Sequence, residues 1–240
     1  MSLDLAREIE SRVSDAVRAG RVPQIILDLD GTLFDNVPRS KRVLLDAARD
    51  LFGEGSVVAS TIAAIAEEAF EYNPIDTLRK RGIVDEPTLL VLREEWARRF
   101  FGSAYLAHDV PLEGSVEAAR RWWAMGAELD YLTGRHVPEM FLGTCRSLHE
   151  AGFPVGTVRT QLLMKPLFDM NDISYKIEVV PYVRRKGPIV LVVDNDPRVL
   201  NALVTEIPEA IAVMVRTLHP KDAPAVAPAA VIVEDFRSLL

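Results

Sequence analysis

Cysteine is almost missing from this chain. Cys145 is the only one in 240 residues, so no disulfide can form within it, and a reducing, cytoplasmic setting is the expectation. Long apolar runs are missing too. None approaches the ~20 residues that span a bilayer, and Asp4, Arg7, Glu8 and Glu10 interrupt any leader-like start. A membrane is therefore not an expected partner. Positive charge is in deficit, with 28 Lys and Arg against 35 Asp and Glu and a formal net charge of -7. That argues against a general nucleic-acid binder, whose affinity comes from neutralising phosphates. Internal repeats are absent, and His108, His149 and His219 lack metal-ligand spacing.

What remains is the profile of a globular protein, 49% hydrophobic and 26% charged. The length suits one large domain or a core with an insertion. Leu3, Ala6, Ile9, Val13 and Val17 recur at helical spacing, which predicts a first helix over residues 3 to about 19. A short apolar strand, 25–29, follows. Residues 36–110 change texture: helices are predicted at about 39–51, 57–71 and 87–101, separated by turns, with no convincing strand. From Pro111 onward strands and helices alternate. Strands are predicted at 127–132, 158–164, 189–193, 211–215 and 231–233. Helices are predicted at 114–125, 138–151, 173–185 and 197–205.

Short apolar strands alternating with helices imply α/β architecture, a Rossmann-like parallel sheet covered on both faces. The expected division is a core of residues 1–35 and 111–240 with an all-helical insertion, 36–110. Ligands of such sheets bind at the carboxyl ends of the strands. Three strands end in polar clusters: Asp28-Leu29-Asp30, Thr133-Gly134-Arg135 and Asp194-Asn195-Asp196. Right-handed crossovers bring those ends to one edge. Several carboxylates at close range need a cation or a proton between them. Hard oxygen donors in that number suit Mg²⁺, and magnesium at strand ends points to phosphate chemistry.

The order of the motifs adds more. D-x-D-G-T on the first strand, T-G-R on a later one, then a lysine and a final acidic cluster resemble the haloacid dehalogenase superfamily, over roughly residues 22–36 and 111–240. The resemblance implies a Mg²⁺-dependent phosphatase acting on a small phosphorylated substrate. Asp28 would be the nucleophile and form an aspartyl phosphate. Asp30 would be general acid, then base, with a pKa raised by burial and crowding. Thr133 would donate to the phosphoryl oxygens, and a lysine would neutralise them. Gly134 and Arg135 would border the substrate, and His136 could line the pocket. Mg²⁺ would lie between Asp28, the Asp30 backbone carbonyl and Asp194, with Asn195 or Asp196 supplying a further ligand.

Two lysines compete for the third motif. Lys176 begins a helix, as the family's lysine usually does. Lys165, in Leu-Leu-Met-Lys-Pro, would then bind substrate or cap the site. The run from Leu162 to Lys176 also resembles the phosphatase domain of polynucleotide kinase phosphatases, which keeps nucleic acid in view only as a terminal-phosphate substrate. The helical insertion matches the position of the family's cap, which closes over the site. A phosphotransferase or phosphomutase with the same intermediate, and a non-enzymatic binding protein, are the other readings.

Overall fold

The structure, a computed structural model, describes residues 2–240. The side chain of Leu3, part of the expected stripe on the first helix, lies outside the described residues. The chain forms α1 (Ser2–Arg18), β1 (Gln24–Leu27), β2 (Phe34–Asp35), α2 (Val37–Phe52), α3 (Val57–Ala63), α4 (Pro74–Lys80), α5 (Glu86–Phe100) and β3 (Val110–Pro111). It continues with α6 (Ser115–Ala124), β4 (Glu128–His136), α7 (Val137–Ala151), β5 (Thr160–Lys165), α8 (Asp172–Lys186), β6 (Ile189–Asp194), α9 (Pro197–Glu206), β7 (Ile211–Val215) and β8 (Ala230–Val233).

Six strands make one sheet in the order β5-β4-β1-β6-β7-β8, all neighbours parallel. The α/β class expected from the alternation is therefore present. β1 sits centrally and is buried along its whole length. Its side chains alternate between two faces, as a strand requires. Ile25 and Leu27 pack with Ile9 and Val13 of α1, Trp122 of α6 and Leu148 of α7. Ile26 packs on the other face with Val180 and Val183 of α8 and Leu200 and Leu203 of α9. Helices on both faces explain the continuous apolar run of a strand with no solvent side.

The segment between β2 and β3 is helical and carries its own apolar core. Leu44, Ala47 and Ala48 of α2 pack there with Ile62, Ile75, Leu78, Leu89 and Leu92. Three local features differ from the sequence reading. The helix expected over 57–71 stops at Ala63. The chain then becomes extended at Ala66, makes a 3-10 turn at Glu67–Ala69 and buries Phe70. Pro74, read as part of a turn, starts α4 instead. The Asn73 side chain accepts the Ile75 N–H, and proline takes a position whose N–H needs no partner. Finally, β2 and β3 form a two-residue antiparallel pair, Phe34 opposite Pro111 and Asp35 opposite Val110, too short to leave any periodic signal. Among the described residues no helix is long and apolar enough to cross a membrane.

Candidate active site

Asp28 follows the last residue of β1, and its N–H donates to the Val193 carbonyl at 3.0 Å. That register brings it beside Asp194, the last residue of β6. Lys176, early in α8, reaches between them. Its Nζ donates to Asp28 Oδ1 and to Asp194 Oδ2, each at 2.7 Å, and all three residues are buried. Burial and the Asp194 charge push the Asp28 carboxyl up to about 7, although Lys176 opposes them. Burial alone would lower the Lys176 ammonium. The two carboxylates outweigh it and hold the pKa above the ordinary lysine value. Thr32 donates its hydroxyl to Asp28 Oδ2 at 3.0 Å and lies 3.3 Å from Asn195 Oδ1. Gly31 permits this contact. Its φ is +77°, and a Cβ there would stand 2.3 Å from Asn195 Nδ2.

Asp30 has a different environment from the one expected. A third of its side chain remains exposed. Arg135 donates to its two oxygens at 2.6 to 3.2 Å, Arg39 at 2.8 Å and Asn36 at 2.6 Å. Burial would raise this carboxyl, but Arg135 and Arg39 outweigh it and hold the pKa well below the usual carboxylate range. The expectation of a raised pKa at Asp30 is thus corrected: Asp28, with one shared lysine, is the raised acid, and Asp30, with two arginines, is the depressed one. Asp109 completes the cluster. It accepts from Arg135 Nη2 at 2.6 Å and pairs with Arg39 Nε at 3.1 Å. Arg39, Arg135 and Asp109 have no side-chain exposure. The Arg39 guanidinium also stacks 3.8 Å above the Phe100 ring.

Thr133 is buried in β4, and its hydroxyl oxygen accepts the Arg135 N–H at 3.2 Å. That leaves its own proton to donate. Gly134 lets the backbone pass close to Asp172, whose Oδ2 would lie 2.5 Å from any Cβ. Arg135, expected beside the substrate, has its guanidinium committed to Asp30 and Asp109. Lys165, expected to bind substrate or cap the site, is not in the cavity lining of this structure. Its ammonium donates to the Phe168 and Met170 carbonyls and to Asp172 Oδ1, at 3.0, 2.9 and 2.6 Å. All three protons are spent on the loop that leads into α8 and on the first residue of that helix. Asn195 faces the site through Thr32. Asp196 instead caps α9 by accepting the Arg198 N–H, and it also pairs with the Arg198 side chain. His136 is buried against Phe168.

Sequence reasoning missed Arg39, Asn36 and Thr32 as site residues. Thr32 had a signal, since it stands inside the D-x-D-G-T motif. Arg39 had none, because only folding brings α2 to the strand ends.

Among the described residues no group of three or more His, Cys, Asp and Glu is arranged to hold a metal. The oxygen donors are fewer and mixed: the Asp28 and Asp194 carboxylates, the Asn195 amide oxygen and the Asp30 carbonyl. Among the described residues no backbone N–H donates to that carbonyl. Two carboxylates and neutral oxygens fit Mg²⁺, which keeps several waters and binds few protein ligands.

These groups floor a cavity of about 280 Å³. The core supplies Asp28, Thr133, Lys176 and Asp194. The helical insertion supplies the opposite wall, including Phe70, Trp96, Phe100 and Phe101.

No family model matches the chain, and no curated protein does. Solved structures do match. A candidate phosphatase from Clostridium difficile is 14% identical, with a TM-score of 0.60, over 92% of this chain and 99% of its own. A haloacid dehalogenase-superfamily hydrolase of subfamily IA from Geobacter sulfurreducens is 16% identical, with a TM-score of 0.56, over 91% and 94%. CbbY from Rhodobacter sphaeroides, in complex with phosphate, is 14% identical, with a TM-score of 0.54, over 91% and 96%. The chain shares their fold, the one that the D-x-D-G-T resemblance implies.

Proposed function

We propose that the chain is a Mg²⁺-dependent phosphatase that hydrolyses a small phosphate monoester through an aspartyl phosphate on Asp28. The observation that carries this reading is the Asp28–Lys176–Asp194 cluster at the floor of a cavity between core and insertion. The shared fold supports it, since the similar structures include a phosphatase candidate and a phosphate complex. Residues 1–35 and 111–240 then form the catalytic core and 36–110 the cap.

Asp28 Oδ attacks phosphorus while the bond from phosphorus to the ester oxygen breaks. The electron pair leaves on that oxygen, which takes a proton and departs as the alcohol. Water then attacks the phosphorus of the Asp28 phosphate, loses a proton to Asp30, and releases inorganic phosphate and the free carboxylate. Lys176 and the Thr133 hydroxyl stabilise the negative charge spread over the transferring oxygens. Asp28, Asp194, Asn195 and the Asp30 carbonyl would hold Mg²⁺, which when bound screens the repulsion between carboxylate and phosphate dianion.

Asp30 carries both proton transfers. Paired with Arg39 and Arg135 it is ionised, the form that accepts the water's proton. Donation to the leaving alcohol requires Asp30 to be freed from its arginines and protonated. The proton it gives to the alcohol is regained from the attacking water, so the cycle returns Asp30 to its starting state.

The test is phosphate release from a panel of monoesters with Mg²⁺. The wild-type chain is expected to turn over, EDTA to stop it, and Asp28→Asn to lower the rate by ~10³-fold or more, the scale of losing a nucleophile. A mutant rate equal to wild type would falsify the assignment of Asp28.

A further inference from the structure

We propose that the cavity selects a phosphate monoester whose alcohol bears an aromatic ring and no second anionic group. The proposal rests on the phosphatase reading and concerns the half of the site that does no chemistry.

The wall opposite the strand ends is aromatic. Phe70, Tyr72, Trp96, Phe100 and Phe101 line it. Three of these rings already pack on one another. Trp96 and Phe100 are stacked at 4.6 Å, and Phe100 and Phe101 meet edge to face at 5.2 Å. All three are only partly buried. A ring entering the cavity extends that packing and is dehydrated as it does so. At about 280 Å³ the space suits a phosphate and one ring, at the small end of the roughly 300 Å³ and upward typical of ligand sites.

Charge excludes the alternatives. The insertion contributes no lysine or arginine to the lining. Its one charged contribution, Glu71, is negative and pairs with Lys80 and Lys221. From the core come two full cations, Lys176 and Arg135. Both are buried and held by carboxylates. A second phosphate or a carboxylate on the leaving group would be desolvated in a cavity whose own two cations are already paired. A polyol fares little better. The Ser40 hydroxyl, which accepts the Trp96 indole N–H at 3.1 Å, has a single proton to offer it, and the rest of that wall is chiefly rings.

The experiment compares 2-phenylethyl phosphate, ethyl phosphate and phosphoglycolate as substrates of the wild-type chain. The expected kcat/KM is at least tenfold higher for the phenylethyl ester than for the ethyl ester, with phosphoglycolate below both. Phe101→Ala should bring the phenylethyl-to-ethyl ratio to within threefold, chiefly through KM. Equal rates for the two alkyl esters, or phosphoglycolate as the better substrate, overturns the proposal. If none of the three is hydrolysed, the phosphatase reading of these esters fails separately. Calorimetric titration of the wild-type chain with the same esters then decides the selectivity. Binding that depends on the ring sustains the proposal, and its absence overturns it.

Discussion

Lys165 ends β5 and Lys176 lies early in α8, and the two have opposite consequences. Lys176 neutralises two buried carboxylates, and removing it leaves Asp28 and Asp194 facing each other. Lys176→Met should lower turnover by ~10³-fold or more, read as phosphate release. Lys165→Met should leave kcat within about threefold. It should lower stability by about 1–3 kcal/mol in urea unfolding, because the Phe168 and Met170 carbonyls lose their donor. Part of this was legible in the sequence. The resemblance to the haloacid dehalogenase superfamily, whose lysine usually begins a helix, favours Lys176. The Asp30–Arg39–Arg135–Asp109 cluster was not legible. Asp109 fell only at the edge of the expected insertion and Arg39 only at the start of a predicted helix. Nothing local marks either as half of a buried ion pair, and so the charge state of Asp30 came out reversed.

At the scale of elements, the insertion is held by its own apolar contacts. Leu92 of α5 is fully buried among α2, α3 and α4 side chains. Leu92→Ala should cost about 2–4 kcal/mol of stability, the range for a leucine truncated in a packed core, measured by urea denaturation. The long, strongly periodic helices α1 and α2 and the apolar strands were readable from spacing alone. The elements that shape the cavity were not. The extended break at Ala66 turns Phe70 inward against the stripe of Val58, Ile62 and Ile65, so periodicity continued the helix where backbone geometry ended it. The β2–β3 pair depends on two residues meeting two others across the whole insertion, and no window of sequence contains both.

At the scale of the whole molecule, one buried charge lies outside the cavity lining. Asp130 pairs across from Ile26 in the sheet and has no exposed side-chain surface. Lys186 holds its Oδ1 at 2.5 Å, while Oδ2 has no hydrogen-bond partner. Burial raises this carboxyl to about 6 from an ordinary 3.8, against the pull of Lys186. The folded state therefore binds this proton more tightly than the unfolded chain. Its contribution is full below pH ~4 and is lost as pH rises towards ~6. The stability of wild type relative to Asp130→Asn should fall by about 2–3 kcal/mol across that window, followed by urea unfolding at several pH values. The β2–β3 pair has another kind of consequence at this scale. With Asp35 opposite Val110, the chain leaves the core and returns to it one strand spacing away, about 5 Å. Everything between behaves as a cassette with its two ends already stapled together. A shorter helical hairpin, or a larger lid, can be spliced in at that seam with every strand pairing of the sheet kept, provided that it brings Arg135 of β4 a partner in place of Asp109.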